Sequence, residues 1–525
     1  MREGLKEKTV LAMYDIRGIQ SYIFNSNRIR DIIGASELVE NIIWNGLNEI
    51  CSSQGWDRNT YLLDWENDEN IVFLNDESVQ MQVLFVGGGN AYVLFRTGEL
   101  CECVNRALAK YVLEHTYSLN LAVAVVEKTE DYSLDYKNIN QQIREVKAVM
   151  PQVRPMGAFP FMPIDSATGY PLASYDYGAG EYISTESGLK REYWKKNKDE
   201  EPSKILDNMV TKKGDSSMLA VVHIDGNGMG SRIKEIMQDQ KSYADAVRTM
   251  RKISYNLKYE FFDCYKQMCE KIDENIAQRV KQDSKGKLYR KIIVAGDDIT
   301  FICNAKIALY AVKEFLNAVS GKIMYSNDKL STFENQRRYA MSACAGVAFF
   351  NSHFPFRDAY EVAESCCSSA KRIAKMAEHR ADGMVDGMIG NYVDFQICHH
   401  IKAADLGSYR EKQYLMPDGE WMVYRPYYVY GKAYEGVFDL NERKENKERE
   451  IEQVLFHNLQ IFQREGIGQS KYKKLRNTFS YGSDEVEKEI VFIKSREVKL
   501  PETEPMTWYD ALEIVSVCEL GGETS

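Results

Sequence analysis

Apolar runs alternate with amphipathic stretches along the first 130 or so residues. "TVLAMYDI" (9–16) is a continuous apolar run of the length of a buried strand. Within "ASELVENIIWNGLNEICSS", Leu38, Ile42, Ile43, Leu47 and Ile50 recur at helical spacing. "MQVLFVGGGNAYVLFR" reads as two strands around a glycine turn. "ELCECVNRALAKYVLEHT" is helical and "LNLAVAVVE" is a strand. The order β, α, β, β, α, β is that of a ferredoxin-like fold.

The order returns later in the chain. "MLAVVHID" (218–225) is a strand, and a long helical region follows it. "KIIVAGDDITFIC" (291–303) is a hairpin, "KIALYAVKEFLNAVSGK" a helix and "YAMSACAGVAFF" a strand. The helix "FRDAYEVAESCCSSAKRIAKMAEHR" closes the unit. The first strands are offset by 210 residues (225 − 15) and the turns by 208 (295 − 87), so a whole α/β domain is duplicated. The fold class is α+β, with two ferredoxin-like domains in tandem. The expected divisions are 1–128, an insertion at 129–214, 215–392, and a mostly helical region at 393–525. In the insertion, a Pro-, Gly- and Tyr-rich stretch precedes "GLKREYWKKNKDEEPSK", which reads as a solvated loop or surface helix.

The net charge of −10 argues against a protein that binds nucleic acid over its whole surface. Eleven cysteines are scattered with no C-x-x-C pair, which points to reduced thiols in the cytoplasm. No window reaches the ~20 uninterrupted apolar residues of a membrane span, and the N-terminus has no signal-peptide pattern. The expectation is a cytoplasmic protein without a membrane partner.

Two motifs change this bland picture. The first strand of the second copy ends in "HIDGNGMGS", and the hairpin turn holds Asp297 and Asp298. In this fold the end of the first strand lies beside that hairpin, so Asp225 joins the two acids. Three carboxylates together raise one another's pKa, and a divalent cation relieves them. Gly226, Gly228 and Gly230 leave a bare backbone entering a helix, suited to a triphosphate. Either motif alone is most often an ordinary turn. Together, each at its required place in a duplicated unit, they point to phosphoryl or nucleotidyl transfer. The first copy retains Asp15, but its turn, "VGGGNAY", lacks the acids. His223 reads as a packed strand histidine.

"YDIRGIQSYIF", "DIIGASELVENI", "VGGGNAYVLF", "DGNGMG", "AGDD", "AESCCSSAK" and "MVYRPYYV" together resemble the large palm-domain subunit of type III CRISPR complexes, the cyclic oligoadenylate synthetase. The resemblance implies two palm domains, of which the second is catalytic through Asp225, Asp297 and Asp298. It implies two Mg²⁺ (or Mn²⁺), held by Asp225, Asp297, Asp298 and the Ile224 carbonyl. One ATP, or another NTP, would sit on Gly226, Asn227, Gly228, Met229, Gly230, Gly296 and Lys371. A second would sit on the first palm, at Gly18, Gln20, Ser21, Gly87, Gly88, Gly89 and Asn90. Attack of a 3′-hydroxyl on an α-phosphate would release pyrophosphate and build cyclic oligonucleotides. Implied partners are CRISPR-type subunits and guide or target RNA, or further copies of the chain in a standalone enzyme. A catalytically silent nucleotide- or RNA-binding scaffold is the alternative. Asn227 and Ala295 depart from the family's acid and glycine. The stretch "FPFMPIDSATGYPLA" resembles the start of the family's zinc module but has no cysteine, so no zinc is expected. No His-Asp pair occurs, so no HD nuclease is expected.

Overall fold

A computed structural model describes residues 3–26, 28–66, 71–87, 89–150, 159–197, 206, 209, 218–238, 240, 242–280, 287–376, 389–398, 406–464 and 469–519. Two compact units form: Met1–Pro202 with Gly230–Tyr259, and Ser203–Met229 with Glu260–Ser525.

The first unit holds β1 (Val10–Arg17), β2 (Tyr61–Leu62), β3 (Met81–Gly87), β4 (Asn90–Phe95) and β5 (Asn120–Glu127). Their order is β2-β3-β4-β1-β5, with β1 antiparallel to both neighbours. This is the ferredoxin-like arrangement plus the short edge strand β2. Residues Val10 to Tyr14 are all buried. Successive strand side chains point to opposite faces, so both faces of the sheet are covered at β1. Helices α1 (Ile19–Ile23) and α2 (Ile29–Ser53) follow β1, and α3 (Gly98–Thr116) follows β4. Helix α4 (Tyr132–Val149), capped by Asp131, packs on β5 and β1. The expected boundary at 128 therefore cuts through this unit: α4 buries its apolar side on the first sheet.

Beyond α4, β6 (Leu172–Asp176) and β7 (Glu181–Ser184) form a hairpin, and α5 (Thr185–Asn197) packs on α2. The charged run in α5 is not simply a solvated surface. Lys190 and Arg191 are buried because each has acidic partners. Lys190 Nζ donates to Glu186 at 2.7 Å, and Arg191 to Asp31 and Asp176 at 2.8 Å.

The second unit holds β8 (Met218–Gly226), β9 (Tyr289–Ala295), β10 (Asp298–Asn304), β11 (Ala343–Asn351), β12 (Asn391–Ile397) and β13 (Tyr427–Val429). Their order is β13-β12-β11-β8-β10-β9. The four consecutive strands β11-β8-β10-β9 repeat β5-β1-β4-β3 of the first sheet. The other two extend it past the expected boundary at 392, so part of the supposed helical region belongs to the sheet. Helix α6 (Met229–Gln238) follows β8, and α7 (Tyr243–Asn275) runs across the division at Tyr259. Helix α8 (Ala308–Ser320) follows β10, and α9 (Phe356–Ala374) packs on β8, β11 and β12.

The duplication reaches fine detail. The outer hairpin strand of each sheet is bulged, with one extra residue between Val83 and Phe85 and one between Lys291 and Ile293. The extra residues, Leu84 and Ile292, stand at the 208-residue offset of the turns (292 − 84).

Candidate active site

Strand register sets the acids. Asp225 on β8 is the cross-strand partner of Asp298 on β10 and of Cys344 on β11. Two residues earlier His223 faces Thr300. Because paired residues share a face, His223, Asp225, Asp298 and Thr300 lie on one side of the sheet. Between β9 and β10 only Gly296 and Asp297 form the turn. Gly296 has φ +64° and Asp297 is not left-handed, which is the pattern of a type II′ hairpin.

Asp297 folds over the end of β8, and its carbonyl accepts from Gly226 N–H at 3.3 Å. A Cβ on residue 226 would lie 2.8 Å from Asp297 Cβ and 2.6 Å from Met229 Cε. Glycine at 226 is therefore what lets the second acid close over the strand. Lys371 on α9 completes the arrangement, with Nζ 2.6 Å from Asp225 Oδ2 and 2.9 Å from the Gly226 carbonyl oxygen.

The electrostatics follow from this crowding. Burial, then the charge of Asp225, pushes the Asp297 carboxyl up to about 6, against the pull of its own backbone hydrogen bond and Lys371. Burial pushes the His223 imidazole down to about 4; Lys371 reinforces that and Asp225 opposes it. Burial disfavours the Lys371 charge, but Asp225 outweighs it and holds the ammonium above its usual value. Glu364, on the same helix, is raised by burial and then by Glu361 and Asp225.

Two expectations for this site change. The stretch 226–230 is only partly a cradle: Gly226 and Asn227 spend their N–H groups on Asp297 and Ser342 carbonyls. Asn227 is fully buried, and its amide donates to Ser342 Oγ at 3.0 Å and Gly390 O at 2.9 Å. Met229 is buried too, Gly228 (φ +63°) is half-buried and Gly230 is exposed at the start of α6. Nor do the acids form a ready-made cage. Among the described residues, no group of three or more His, Cys, Asp or Glu is placed to hold a metal ion. Asp225 is turned to Lys371 instead. What remains is an all-oxygen donor set of one or two carboxylates, crowded enough to favour a cation. That fits Mg²⁺ or Mn²⁺ completed by substrate phosphates, and not a soft-ligand metal.

The first sheet repeats the frame. Asp15 is the cross-strand partner of Asn90, and Ile16 N–H donates to the Gly89 carbonyl at 2.9 Å, as Gly226 does to Asp297. Lys147 on α4 is paired with Asp15. Burial still outweighs Lys147 and raises the Asp15 carboxyl. Gly18 has φ +80°, Gly87 is half-buried, and Gln20 and Ser21 are exposed on α1. Gly88 lies outside the described residues.

Sequence reading missed Lys147 beside Asp15, Glu364 near Asp225, and Tyr360, whose ring stands against His223. The signal was present. "YKNINQQIREVK" (136–147) and "YEVAESCCSSAK" (360–371) share a first Tyr and a last Lys at an offset of 224 (371 − 147).

Comparisons agree with this frame. Residues 218–380 match the family model described as Cas10/Cmr2, second palm domain. A solved Csm1–Csm4 cassette in complex with cA4 is similar, with TM-score 0.50 and 12% identity, covering 98% of this chain and 70% of that one. The apo Csm1–Csm4 cassette gives 0.43 at 13% identity, covering 98% and 71%. At such identity the likeness of the first speaks for the fold alone. No curated protein matches the chain. Among the described residues no helix is long and apolar enough to cross a membrane.

Proposed function

We infer, for a chain that is a Cas10-like subunit with its second palm at residues 218–380, that this palm is a nucleotidyltransferase acting on ATP or a related NTP. One observation carries the reading: Asp225, Asp297 and Asp298 meet at one sheet edge with Lys371, while the duplicate palm keeps the Asp–Lys pair and lacks the hairpin acids.

Asp225 and Asp297, with Asp298 and the Ile224 carbonyl, would hold Mg²⁺ or Mn²⁺. When bound, such a cation supplies charge for the attacking and leaving oxygens of an in-line displacement. Lys371 binds phosphate oxygens, leaving Asp225 to the cation. Gly228 and Gly230 present the start of α6 to the triphosphate. The reaction is attack of a ribose 3′-hydroxyl on an α-phosphate with loss of pyrophosphate, and repetition and closure give a cyclic oligonucleotide. The first palm would hold a second nucleotide near Asp15, Gly18, Gln20, Ser21 and the 87–90 turn. CRISPR-type subunits and RNA are the proposed partners and activators.

The test is protein, alone and reconstituted with such partners, given ATP and Mg²⁺, with products separated by chromatography. Loss of product in Asp297→Ala/Asp298→Ala supports the reading, and an unchanged profile rejects it. The engagement of Asp225 by Lys371 favours one other reading, a subunit that binds nucleotide and signals without turnover. Tight ATP binding with no pyrophosphate release under every partner condition would select that one.

A further inference from the structure

We propose that His223 is a positioning residue for Asp298: its Nδ1–H is shared between Thr300 and the Asp298 carboxylate and holds that carboxylate for a divalent cation. This rests on the reading of the second palm as a metal-using site.

His223 reaches both groups, the first as a hydrogen bond and the second as a close approach. His223 Nδ1 lies 3.2 Å from Thr300 Oγ1 and 3.4 Å from Asp298 Oδ1. The residue is 4% exposed. Its ring stands edge-to-face against Tyr360, with centroids 5.6 Å apart. The ring is therefore fixed, and a neutral imidazole has one N–H to place. A carboxylate only accepts, so a bare Nδ1 facing Asp298 would set lone pair against lone pair. The hydroxyl of Thr300 both donates and accepts and can adapt to either tautomer. The carboxylate therefore selects the Nδ1–H form. Hydrogen bonds that orient ligands from behind are worth about 10–100-fold in metal affinity.

The duplicate palm supplies the contrast. At the 210-residue offset Met13 stands where His223 stands, and its cross-strand partner is Tyr92. The place of Asp298 is taken by Asn90. The histidine occurs where the carboxylate does.

Three measurements on the full chain decide it. The first is the tautomer of His223 from long-range ¹⁵N–¹H NMR of ¹⁵N-histidine protein, assigned by loss of its signal in His223→Asn. An Nδ1–H form is expected, and an Nε2–H form overturns the proposal whatever the variants do. The second is Mn²⁺ affinity by electron paramagnetic resonance. His223→Leu should weaken it about tenfold, and His223→Asn, which returns a donor to the Nδ1 position, should restore it to within about threefold. The third is thermal unfolding, where the two variants should match. Equal losses in both variants, or no loss in His223→Leu, overturn the proposal. Asp225→Asn separates the two failures. If Asp225→Asn binds Mn²⁺ like wild type, the metal-site reading falls and the inference with it. If Asp225→Asn loses Mn²⁺ while His223→Leu keeps it, only the inference falls.

Discussion

In each palm an aspartate near the end of the first strand meets a lysine from the helix after the fourth strand: Asp15 with Lys147, and Asp225 with Lys371. Each hairpin carries the same bulge, and each turn accepts the same N–H. The palms part at the turn itself. Asp297 and Asp298 in one correspond to Gly89 and Asn90 in the other. The backbone differs too: Gly89 has φ +83° at the second turn position, where Asp297 is not left-handed. A Cβ at Gly89 would come within 2.3 Å of Ile19 Cδ1. The first palm thus differs by more than two carboxylates; a side chain at residue 89 would take a left-handed backbone and push Ile19 aside. An Asp–Lys pair alone is therefore the shared frame, and the hairpin acids are what the second palm adds to it.

The strongest way to break that division is Asp297→Asn/Asp298→Asn against Asn90→Ala. The first should lower pyrophosphate release about a thousandfold, as loss of a charge-stabilising group at a reacting centre does. The second should leave turnover within about threefold at saturating ATP. Equal losses would end the distinction. Next comes the lysine pair. Lys371→Met should lower kcat roughly 100-fold if, as proposed, the acids beside Lys371 serve the reacting phosphate. Lys147→Met should act on KM instead, because its Asp15 has no hairpin acids beside it. A kcat loss of similar size in Lys147→Met would mean that both palms turn over.

The turns themselves give a smaller, purely structural contrast. Gly296→Ala adds a Cβ that meets nothing within 4 Å, so only the left-handed backbone resists it. Gly89→Ala meets both the backbone and Ile19. Destabilisation of about 1 kcal/mol is expected for the first and about 2–3 kcal/mol for the second, read as shifts in thermal midpoint. Similar shifts would show that the two turns are alike after all.

What could be read in the chain, and what could not, follows the same division. The strands β1 and β8 announce themselves because both faces are covered, which makes unbroken apolar runs. The acids announce themselves because nothing in a hairpin demands them. Lys147 did not: its meaning lies in a pairing with Asp15, 132 residues away. Lys190 and Arg191 read as solvated because Tyr22, whose carbonyl accepts from Lys190, stands 168 residues off and Asp31, a partner of Arg191, 160. Strand β12 was hidden by its own polarity. Asp394 and Gln396 are buried in it, satisfied by Arg410 from beyond the strand. Pattern reports periodicity, whereas buried polar pairs report contacts that only the fold brings together.

The smallest effect is in pH dependence, and it again separates the palms. Asp297 has a folded pKa of about 6 against 3.8 for an ordinary aspartate. Its stabilising, protonated form is fully present below about 4 and is lost as pH rises to 6. His223 runs the other way, with about 4 in the fold against 6.5. Its contribution is full above 6.5 and is lost as pH falls towards 4. Between pH 4 and 6 the folded chain holds a proton on Asp297 while the unfolded chain takes one up on His223, so the two slopes nearly cancel. The first palm has Met13 and Gly89 at these positions and contributes neither slope. Without divalent cation, wild type should therefore show little pH dependence from this pair. Asp297→Asn leaves the histidine unopposed and should lose stability on acidification from pH 6.5 to 5, on the order of 1–2 kcal/mol more than wild type. His223→Asn should gain on the same change. Saturating Mn²⁺ should flatten the Asp297 limb, because a bound cation competes with the proton for that carboxylate. Denaturant melts at a series of pH values read all of this, and parallel curves for wild type and both variants would show that neither group titrates as its surroundings dictate.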